Sequence, residues 1–201
     1  MKNLLKFILS LTLVFSFTAC DQAEDPDLID GVAAKYSMSD EDKMATLGFN
    51  IKLFGTYEYQ GPDFEGDKCG LYQDTGFVLV INTGVGTGTH FKKVTSYFEF
   101  CVNPMTGTYP ENDYLIAYLE DEDGDQLFVE VAGQVLPGRV AGMPDFALSY
   151  FKDPFTITGG TGKFEGASGG GFTNDYNFIA KDGLIHTSHH WQGKITMKKG
   201  K

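Results

Sequence analysis

The stretch Phe155-Thr-Ile-Thr-Gly-Gly-Thr-Gly-Lys-Phe-Glu-Gly-Ala-Ser-Gly-Gly-Gly171 decides the fold of this chain. It opens with alternating apolar and hydroxyl residues, as a half-buried strand does, and it contains seven glycines. So many glycines are incompatible with the interior of a helix. We therefore expect a strand, a glycine-rich turn and a second strand after Gly171, with Phe164 and Ala167 anchoring the turn in a core.

The rest of the chain shows strand patterns separated by short turns. Phe49 to Tyr59 alternates with polar residues, and Phe77–Ile81 is wholly apolar, as in a strand covered on both sides. The glycine spacing of Thr83–His90 does not fit a nucleotide-binding loop, because a strand follows it rather than a helix. One or two capped helical turns are predicted over 39–47. Further strands are predicted over 90–102, 114–120, 126–135, 146–151, 155–158, 172–180 and 185–197.

This pattern of about eight strands predicts an all-β fold, an antiparallel sheet closed as a barrel or folded as a sandwich. The length of 201 residues is typical of one domain with a tail. The formal charge is -11, with no basic cluster. Nucleic acid is therefore not an expected partner.

The N-terminus has the parts of a secretory signal. Lys2 and Lys6 accompany a short apolar core, and the small residues Thr18 and Ala19 follow it. The ending 17–20, Phe-Thr-Ala-Cys, resembles the lipobox of bacterial lipoproteins, in which the cysteine receives a diacylglycerol and becomes the new N-terminus. Phe17 departs from the usual Leu or Val. The alternative is an ordinary cleaved signal in which Cys20 has no role.

The lipoprotein interpretation divides the chain into a signal peptide (1–19), lipidated Cys20 with an acidic tether (20–46) and a β-domain (47–201). Several acyl chains, such as palmitate, anchor a protein stably to a membrane. The acidic run 21–27 resembles the surface-export signal of Bacteroidota lipoproteins, but any solvated spacer is similarly acidic. We expect an outer-membrane lipoprotein of a bacterial envelope, and which face of the membrane it occupies stays open.

Two further cysteines, Cys69 and Cys101, form an even pair in an exported chain. Such a pair favours one disulfide, which would pin the loop 61–76 to a strand; two buried free thiols are the alternative. The spacing does not fit a zinc or redox site.

The glycine-rich stretch gives the chain a family resemblance. Thr158–Gly169 resembles the TGGTGxFxGAxG turn of the allene oxide cyclase and dirigent-like barrel superfamily, and Gly88–Thr95 and Asp123–Leu127 fit its bacterial branch in the same order. The resemblance covers most of 47–197. It implies an eight-stranded antiparallel barrel with a central cavity, often assembled as a homotrimer. Members include a cyclase, proteins that steer radical coupling, and lipoproteins without an assigned activity. The shared turn is structural, so it carries no chemistry to this chain.

The histidines could hold a metal or a catalytic group. On a strand, His186 and His190 lie about 13 Å apart, which is too far for one ion, and both are expected to face outward. His189 and Trp191 share a face with Ile195 and are expected to point into the barrel. A hydrogen-bonded core histidine is the alternative to a catalytic or ligand-binding His189. His90, at a strand start, is expected to hold a turn.

The acidic residues give no convincing acid–base pair. Asp121, Asp123 and Asp125 alternate as in a calcium loop, but the glycine falls at the wrong position, so a hairpin turn is favoured. Glu99 and Asp175 lie opposite faces rich in aromatic and aliphatic residues, and both are therefore expected to face solvent. No metal site and no cofactor are predicted.

Three functions fit these observations. The first is a non-catalytic, lipid-anchored barrel that binds an apolar small molecule or a partner protein. The second is an isomerase or cyclase that confines a hydrophobic substrate, with His189 and Trp191 as the residues that would contact it. The third is a structural component of the envelope without a ligand. An open cavity favours the first two over the third.

Overall fold

The computed structural model describes residues 43–111 and 114–199. The predicted signal, Cys20, and the acidic tether as far as residue 42 lie outside the described residues. The described chain contains one short helix, α1, and eleven strands: β1 (Met44–Gly61), α1 (Tyr72–Thr75), β2 (Val78–Gly88), β3 (Phe91–Val102), β4 (Leu115–Asp121), β5 (Gln126–Val131), β6 (Leu136–Pro137), β7 (Ser149–Phe151), β8 (Pro154–Gly160), β9 (Ser168–Thr173), β10 (Asp175–Ile179) and β11 (Ile185–Lys198).

The strands form a closed antiparallel barrel. Eight of them follow one another in the order β1-β2-β3-β4-β5-β8-β9-β11, and β11 pairs back onto β1. That last ladder runs from Met44 opposite Lys198 to Thr56 opposite His186. Strands β10, β7 and β6 continue the sheet beside the first half of β11. The predicted all-β, eight-stranded antiparallel barrel is confirmed.

One local prediction is wrong, and one predicted strand is longer than expected. Met44–Leu47 belongs to β1 and pairs with Ile195–Lys198, so this sheet pairing overrides the helical start signal. The part of that signal at 39–42 lies outside the described residues. The strand predicted over 77–81 continues through the glycine run as far as Gly88, and together they form β2. Gly86 allows the close pairing with β1, since a Cβ there would lie 1.9 Å from the carbonyl oxygen of Lys52.

The glycine-rich stretch forms the predicted strand, turn and strand. Between β8 and β9 the chain makes one 3-10 turn over Gly162–Phe164. Gly162 has φ +54° and Gly166 has φ +72°, a conformation that L-residues with a side chain rarely adopt. Phe164 and Ala167 are buried, as predicted, and Phe164 stacks on Phe91 at 4.9 Å between ring centroids. The turn therefore plugs one end of the barrel.

We call this part of the interior the filled end. Its side chains are apolar and almost completely removed from water, and each contributes roughly 1.5–3 kcal/mol through burial. They come from six strands and from the turn between β8 and β9: Ile51, Phe91, Val94, Leu119, Leu127, Ile157, Phe164 and Ile195. Away from this end the interior becomes polar and contains a cavity. We call that part the cavity end.

A disulfide joins Cys69 to Cys101, as the cysteine count favoured. Both residues are buried against Leu79. The carboxylate of Asp63 shapes the preceding loop by accepting hydrogen bonds from the backbone N–H groups of Gly66, Lys68 and Cys69. The bridge thus holds the loop between β1 and α1 against the outer face of β3.

Within 43–111 and 114–199, no helix reaches the length and apolarity that crossing a membrane requires.

Candidate ligand-binding cavity

The cavity end of the barrel encloses a partly open cavity of about 540 Å³. The paired part of β4 and β5 is short and runs from Tyr118 opposite Phe128 to Glu120 opposite Gln126. Leu115 of β4 and Val131 of β5 lie beyond this stretch, and both line the cavity. Six aromatic side chains form much of its wall: Phe98, Phe100, Tyr109, Tyr114, Phe151 and Trp191.

A buried carboxylate organises one wall of the cavity. Asp175 is only 1% exposed, and its Oδ2 accepts hydrogen bonds from Nδ1 of His189 at 2.7 Å and from Nε1 of Trp191 at 2.8 Å. Its Oδ1 accepts the backbone N–H of His190 at 2.8 Å. Three donors therefore compensate the burial of this charge, as a buried carboxylate requires.

The hydrogen bonds continue beyond His189. Its Nδ1 faces a carboxylate, which only accepts, so Nδ1 carries a proton, and Nε2 lies 2.8 Å from the hydroxyl of Thr187. That hydroxyl accepts from the amide of Asn82 at 3.3 Å. Gly55 makes this network fit, because a Cβ there would lie 2.0 Å from Oγ1 of Thr187. Both ring nitrogens of His189 are thus engaged.

The set Thr187, His189 and Asp175 has the connectivity of a hydroxyl–histidine–carboxylate triad. A nucleophile must, however, reach its substrate. Thr187 is 2% exposed and is not among the residues that line the cavity. The arrangement therefore orients His189 and Trp191 at the cavity wall and does not present a nucleophile.

A second carboxylate, Asp153, lies in the break between β7 and β8. It is 5% exposed and lines the cavity. Its backbone N–H donates to the hydroxyl of Thr173 at 2.9 Å. Its Oδ1 accepts the backbone N–H of Gln134 at 3.2 Å, and its Oδ2 accepts the hydroxyl of Tyr109 at 3.4 Å. These two bonds are longer than those that reach Asp175.

Because the hydrogen bonds to Asp153 are longer than those to Asp175, they stabilise its ionised form less. Burial, together with the nearby charge of Asp175, raises the pKa of the Asp153 carboxyl from 3.8 to about 6. Burial also raises the pKa of Tyr109, and the charge of Asp153 adds to this effect. The cavity end therefore contains a carboxyl group that changes charge close to neutral pH.

His189 and Trp191 face the barrel interior, as predicted, and both line the cavity. Trp191 stacks between Phe98, at 5.6 Å, and Phe155, at 5.0 Å. The ligand-binding role of the two residues stays a prediction.

The solvent-facing prediction for Asp175 is wrong. The interior face of β10 carries Asp175 and Asn177, whereas Tyr176 and Phe178 lie outside and contact Phe146. Alternation is intact here, but the aromatic residues mark the outer face. The rule that apolar residues point inward fails because the interior at this level is a hydrogen-bonded network.

The solvent-facing prediction for Glu99 is also wrong. Glu99 is 5% exposed on the outer face of β3, beneath the loop that the disulfide holds. It pairs with Lys68 at 2.6 Å and accepts hydroxyl hydrogen bonds from Tyr97 and Tyr114. Burial acts to raise the pKa of Glu99, but the bonds from Lys68 and the two tyrosines outweigh it and hold the pKa below its usual value.

The other histidines agree with their predicted positions. His186 and His190 lie on the outer side of β11. The rings of Phe54 and His186 are 4.7 Å apart and tilted, and Nε2 of His186 pairs with Asp182 at 2.8 Å. His90 has φ +68° in the turn between β2 and β3, and its Nε2 lies 2.8 Å from the carbonyl oxygen of Gly48.

The alternating aspartates form the predicted hairpin turn. Oδ1 of Asp121 accepts the backbone N–H groups of Asp123 and Asp125, and Oδ2 pairs with Lys163 at 2.5 Å. In the part of the chain that the structure describes, no group of three or more His, Cys, Asp or Glu residues is arranged to hold a metal ion.

Sequence reasoning missed Asp153 and Tyr109. The signal that could have found Asp153 is the following Pro154, because a proline lacks the N–H that a central strand needs and marks an interruption. No local signal identifies Tyr109, since it lies outside the strands and reaches the cavity only through the tertiary fold.

Comparisons of the chain with protein-family models, with curated proteins and with solved structures find no match.

Proposed function

We propose that this protein is a lipid-anchored envelope protein whose barrel binds a small hydrophobic molecule in the cavity end. The observation that carries the proposal is the cavity of about 540 Å³, lined largely by aromatic side chains. Its volume lies within the range of roughly 300–1,000 Å³ that is usual for small-molecule sites. A barrel that served only as a scaffold could be packed throughout with side chains, as this one is at the filled end.

The polar groups at the cavity wall support a binding site with a defined orientation. Few polar groups among many apolar ones are typical of sites that recognise one end of a hydrophobic molecule. Trp191 is fixed by its bond to Asp175 and by two stacked rings, so it presents a rigid surface. A rigid site loses less conformational entropy when a ligand binds.

The test is native mass spectrometry of the protein purified from its own cell envelope. Val131 lines the cavity, so Val131→Trp fills it, whereas Val85 is 54% exposed on the barrel surface and Val85→Trp serves as the matched control. We expect wild type and Val85→Trp to retain a defined small molecule and Val131→Trp to lose it. A folded wild-type protein without any bound molecule, or equal retention by Val131→Trp, overturns the proposal.

The anchor is part of the proposal and rests on the lipobox-like ending at Cys20. A fully extended chain from Cys20 to the start of β1 spans up to roughly 80 Å, which lets the barrel stand clear of a membrane surface. Cys20→Ser is expected to abolish incorporation of labelled palmitate and to release the protein from the membrane fraction. Labelling and fractionation like wild type would contradict the anchor.

One observation favours a second candidate function, an isomerase or cyclase of the allene oxide cyclase-like type. Asp153 lines the cavity with a pKa of about 6, which suits a general acid or base near neutral pH. In this candidate Asp153 transfers the proton and His189 positions the substrate. If the retained molecule is turned over, Asp153→Asn should lower the rate by at least about 100-fold. An unchanged rate excludes Asp153 as the acid–base group.

The family resemblance further supports a homotrimer. Light scattering coupled to size-exclusion chromatography measures the mass directly, and a monomeric mass at all accessible protein concentrations contradicts this assembly.

A further inference from the structure

The cavity end has an uneven distribution of charge. Three acidic residues are among those that line the cavity: Asp153 and Asp175, which are buried, and Glu130, which is exposed at the rim. Among the described residues, no lysine and no arginine lines it. The one basic side chain at the wall is His189, whose Nδ1 is already bonded to Asp175. A ligand that enters this space therefore meets acceptors and negative charge.

The two buried carboxylates are not equivalent. Asp175 accepts three hydrogen bonds of 2.7–2.8 Å. Asp153 accepts two, at 3.2 and 3.4 Å, and within the described residues it forms no ion pair. An ionised carboxylate has about four acceptor sites. Asp153 consequently has unused acceptor capacity beside the cavity, at a residue that is only 5% exposed.

Burying a carboxylate without a cation is unfavourable, and a ligand can supply the missing partner. An ammonium group near Asp153 would form a charge-assisted hydrogen bond, which is stronger than one between neutral groups. The aromatic rings in the same cavity add to the attraction, because a ring face attracts a cation. A ligand carboxylate would instead bring a second negative charge to the same wall.

From this juxtaposition we infer that the cavity selects a hydrophobic amine, whose ammonium group pairs with Asp153 while its apolar part lies among Phe98, Phe151 and Trp191. The inference rests on the proposed binding function, and it adds the charge class of the ligand. It also distinguishes the site from one for fatty acids or other hydrophobic anions.

The pairing makes binding depend on pH in a defined direction. Tyr109 and Asp175 act on Asp153 directly, while Glu130 and His189 line the same cavity. The ammonium group pairs with the ionised form of Asp153, so the affinity for an amine should rise as pH increases from about 5 to about 7. The affinity for a hydrophobic carboxylate should fall over the same range, and that for an alcohol should change least.

Trp191 provides the measurement. It is the one tryptophan in the sequence, and it lines the cavity, so its fluorescence reports on occupancy. Wild type is titrated with phenylbutylamine, phenylbutanol and phenylbutyrate, which share one apolar part and differ in the polar end. At about pH 7.5 we expect the amine to bind at least about ten-fold more tightly than the alcohol, and the carboxylate to bind most weakly.

Asp153→Asn is nearly isosteric and should bring the amine to within about two-fold of the alcohol. Asp123→Asn makes the same change on the exposed turn between β4 and β5, away from the cavity, and as the control it should keep the preference. The wild-type pH profile tests the same point without a variant. Equal binding of amine and alcohol, or a preference for the carboxylate, overturns the amine inference and leaves the binding proposal standing. If none of the three binds, both are overturned.

Discussion

The two ends of this barrel are built on opposite rules. At the filled end, apolar side chains such as Phe164 and Leu127 point inward and close on one another. At the cavity end, the inward positions carry Asp175 and His189, while the exposed Phe54 and Phe146 lie on the outer surface. The comparison shows that one end of the barrel provides the close packing that stabilises the fold, while the other end provides the space in which a ligand can bind.

The separation follows from what each end must do. A close-packed interior loses stability with every lost methylene, and it leaves no room for a guest. A cavity keeps space but loses those contacts, so its buried polar groups must be satisfied by one another. The network from Asn82 through Thr187 and His189 to Asp175 provides this at the cavity end.

The largest difference is expected from truncating one aromatic residue at each end. Phe164→Ala should lower the free energy of unfolding by about 3–5 kcal/mol, because it opens a void in a closed core. Phe151→Ala should cost only about 1 kcal/mol, since this partly exposed side chain already borders open space. Urea unfolding followed by circular dichroism measures both. Equal losses for the two variants would contradict the division of the barrel.

The next effect concerns the bridge between Cys69 and Cys101, which closes 32 residues of sequence separation. Replacing both by alanine should cost about 3 kcal/mol through the added entropy of the unfolded chain. The bridge holds the loop that covers Glu99, so the double variant should also make that loop more sensitive to proteases. Reduced wild type is the matched control and should show the same loss. A stability like that of the oxidised protein would contradict this role.

A smaller effect is expected at the carboxylate of the cavity wall. Asp175→Asn replaces one acceptor oxygen with a donor that faces other donors, at a cost of about 2 kcal/mol. Asp123→Asn, on an exposed turn residue, is the control and should change stability by less than about 0.5 kcal/mol. Trp191 fluorescence should shift in the first variant, because its Nε1 loses a defined partner. Equal stabilities of the two variants would show that the network contributes nothing.

The smallest effect is the pH dependence that Asp153 contributes. Its pKa is about 6 in the folded protein and 3.8 in a free chain, so the folded state binds this proton more tightly. The contribution is therefore favourable below about pH 4 and is lost as pH rises towards 6. Water in the open cavity reduces its size to about 1 kcal/mol. Subtracting the free energy of unfolding of Asp153→Asn from that of wild type at each pH isolates the contribution of Asp153. A difference that stays constant, or that grows as pH rises, would contradict the raised pKa of Asp153.

The same two ends explain how far the sequence predicts the structure. At the filled end, residue alternation predicted an antiparallel sheet, and the resemblance of the glycine-rich turn to a known family implied the barrel. The burial of Phe164 and Ala167 was predicted from their place in that turn. At the cavity end, alternation still identified the inward face of β11, including His189 and Trp191. It misassigned Asp175, because aromatic residues that cover the outer surface look in sequence like those that fill a core.

Other parts of the site depend on contacts between distant segments. Glu99 is buried only because a loop more than thirty residues before it in sequence is fastened over its strand by the disulfide. Asp153 and Tyr109 meet across 44 positions of sequence separation. The alternation of residues along one strand does not predict these contacts, because they form only when the strands pair and the barrel closes.

The most direct test of the central claim, that ligand binding belongs to the cavity end, is an NMR titration of the isotope-labelled protein with phenylbutanol. The account predicts shifts of the backbone amides of Phe98, Asp153 and Trp191 that saturate together, with those of Leu127 and Phe164 unchanged. Shifts centred on the filled end or on the outer surface around Phe54 and Phe146, or no saturable shifts at all, would contradict it.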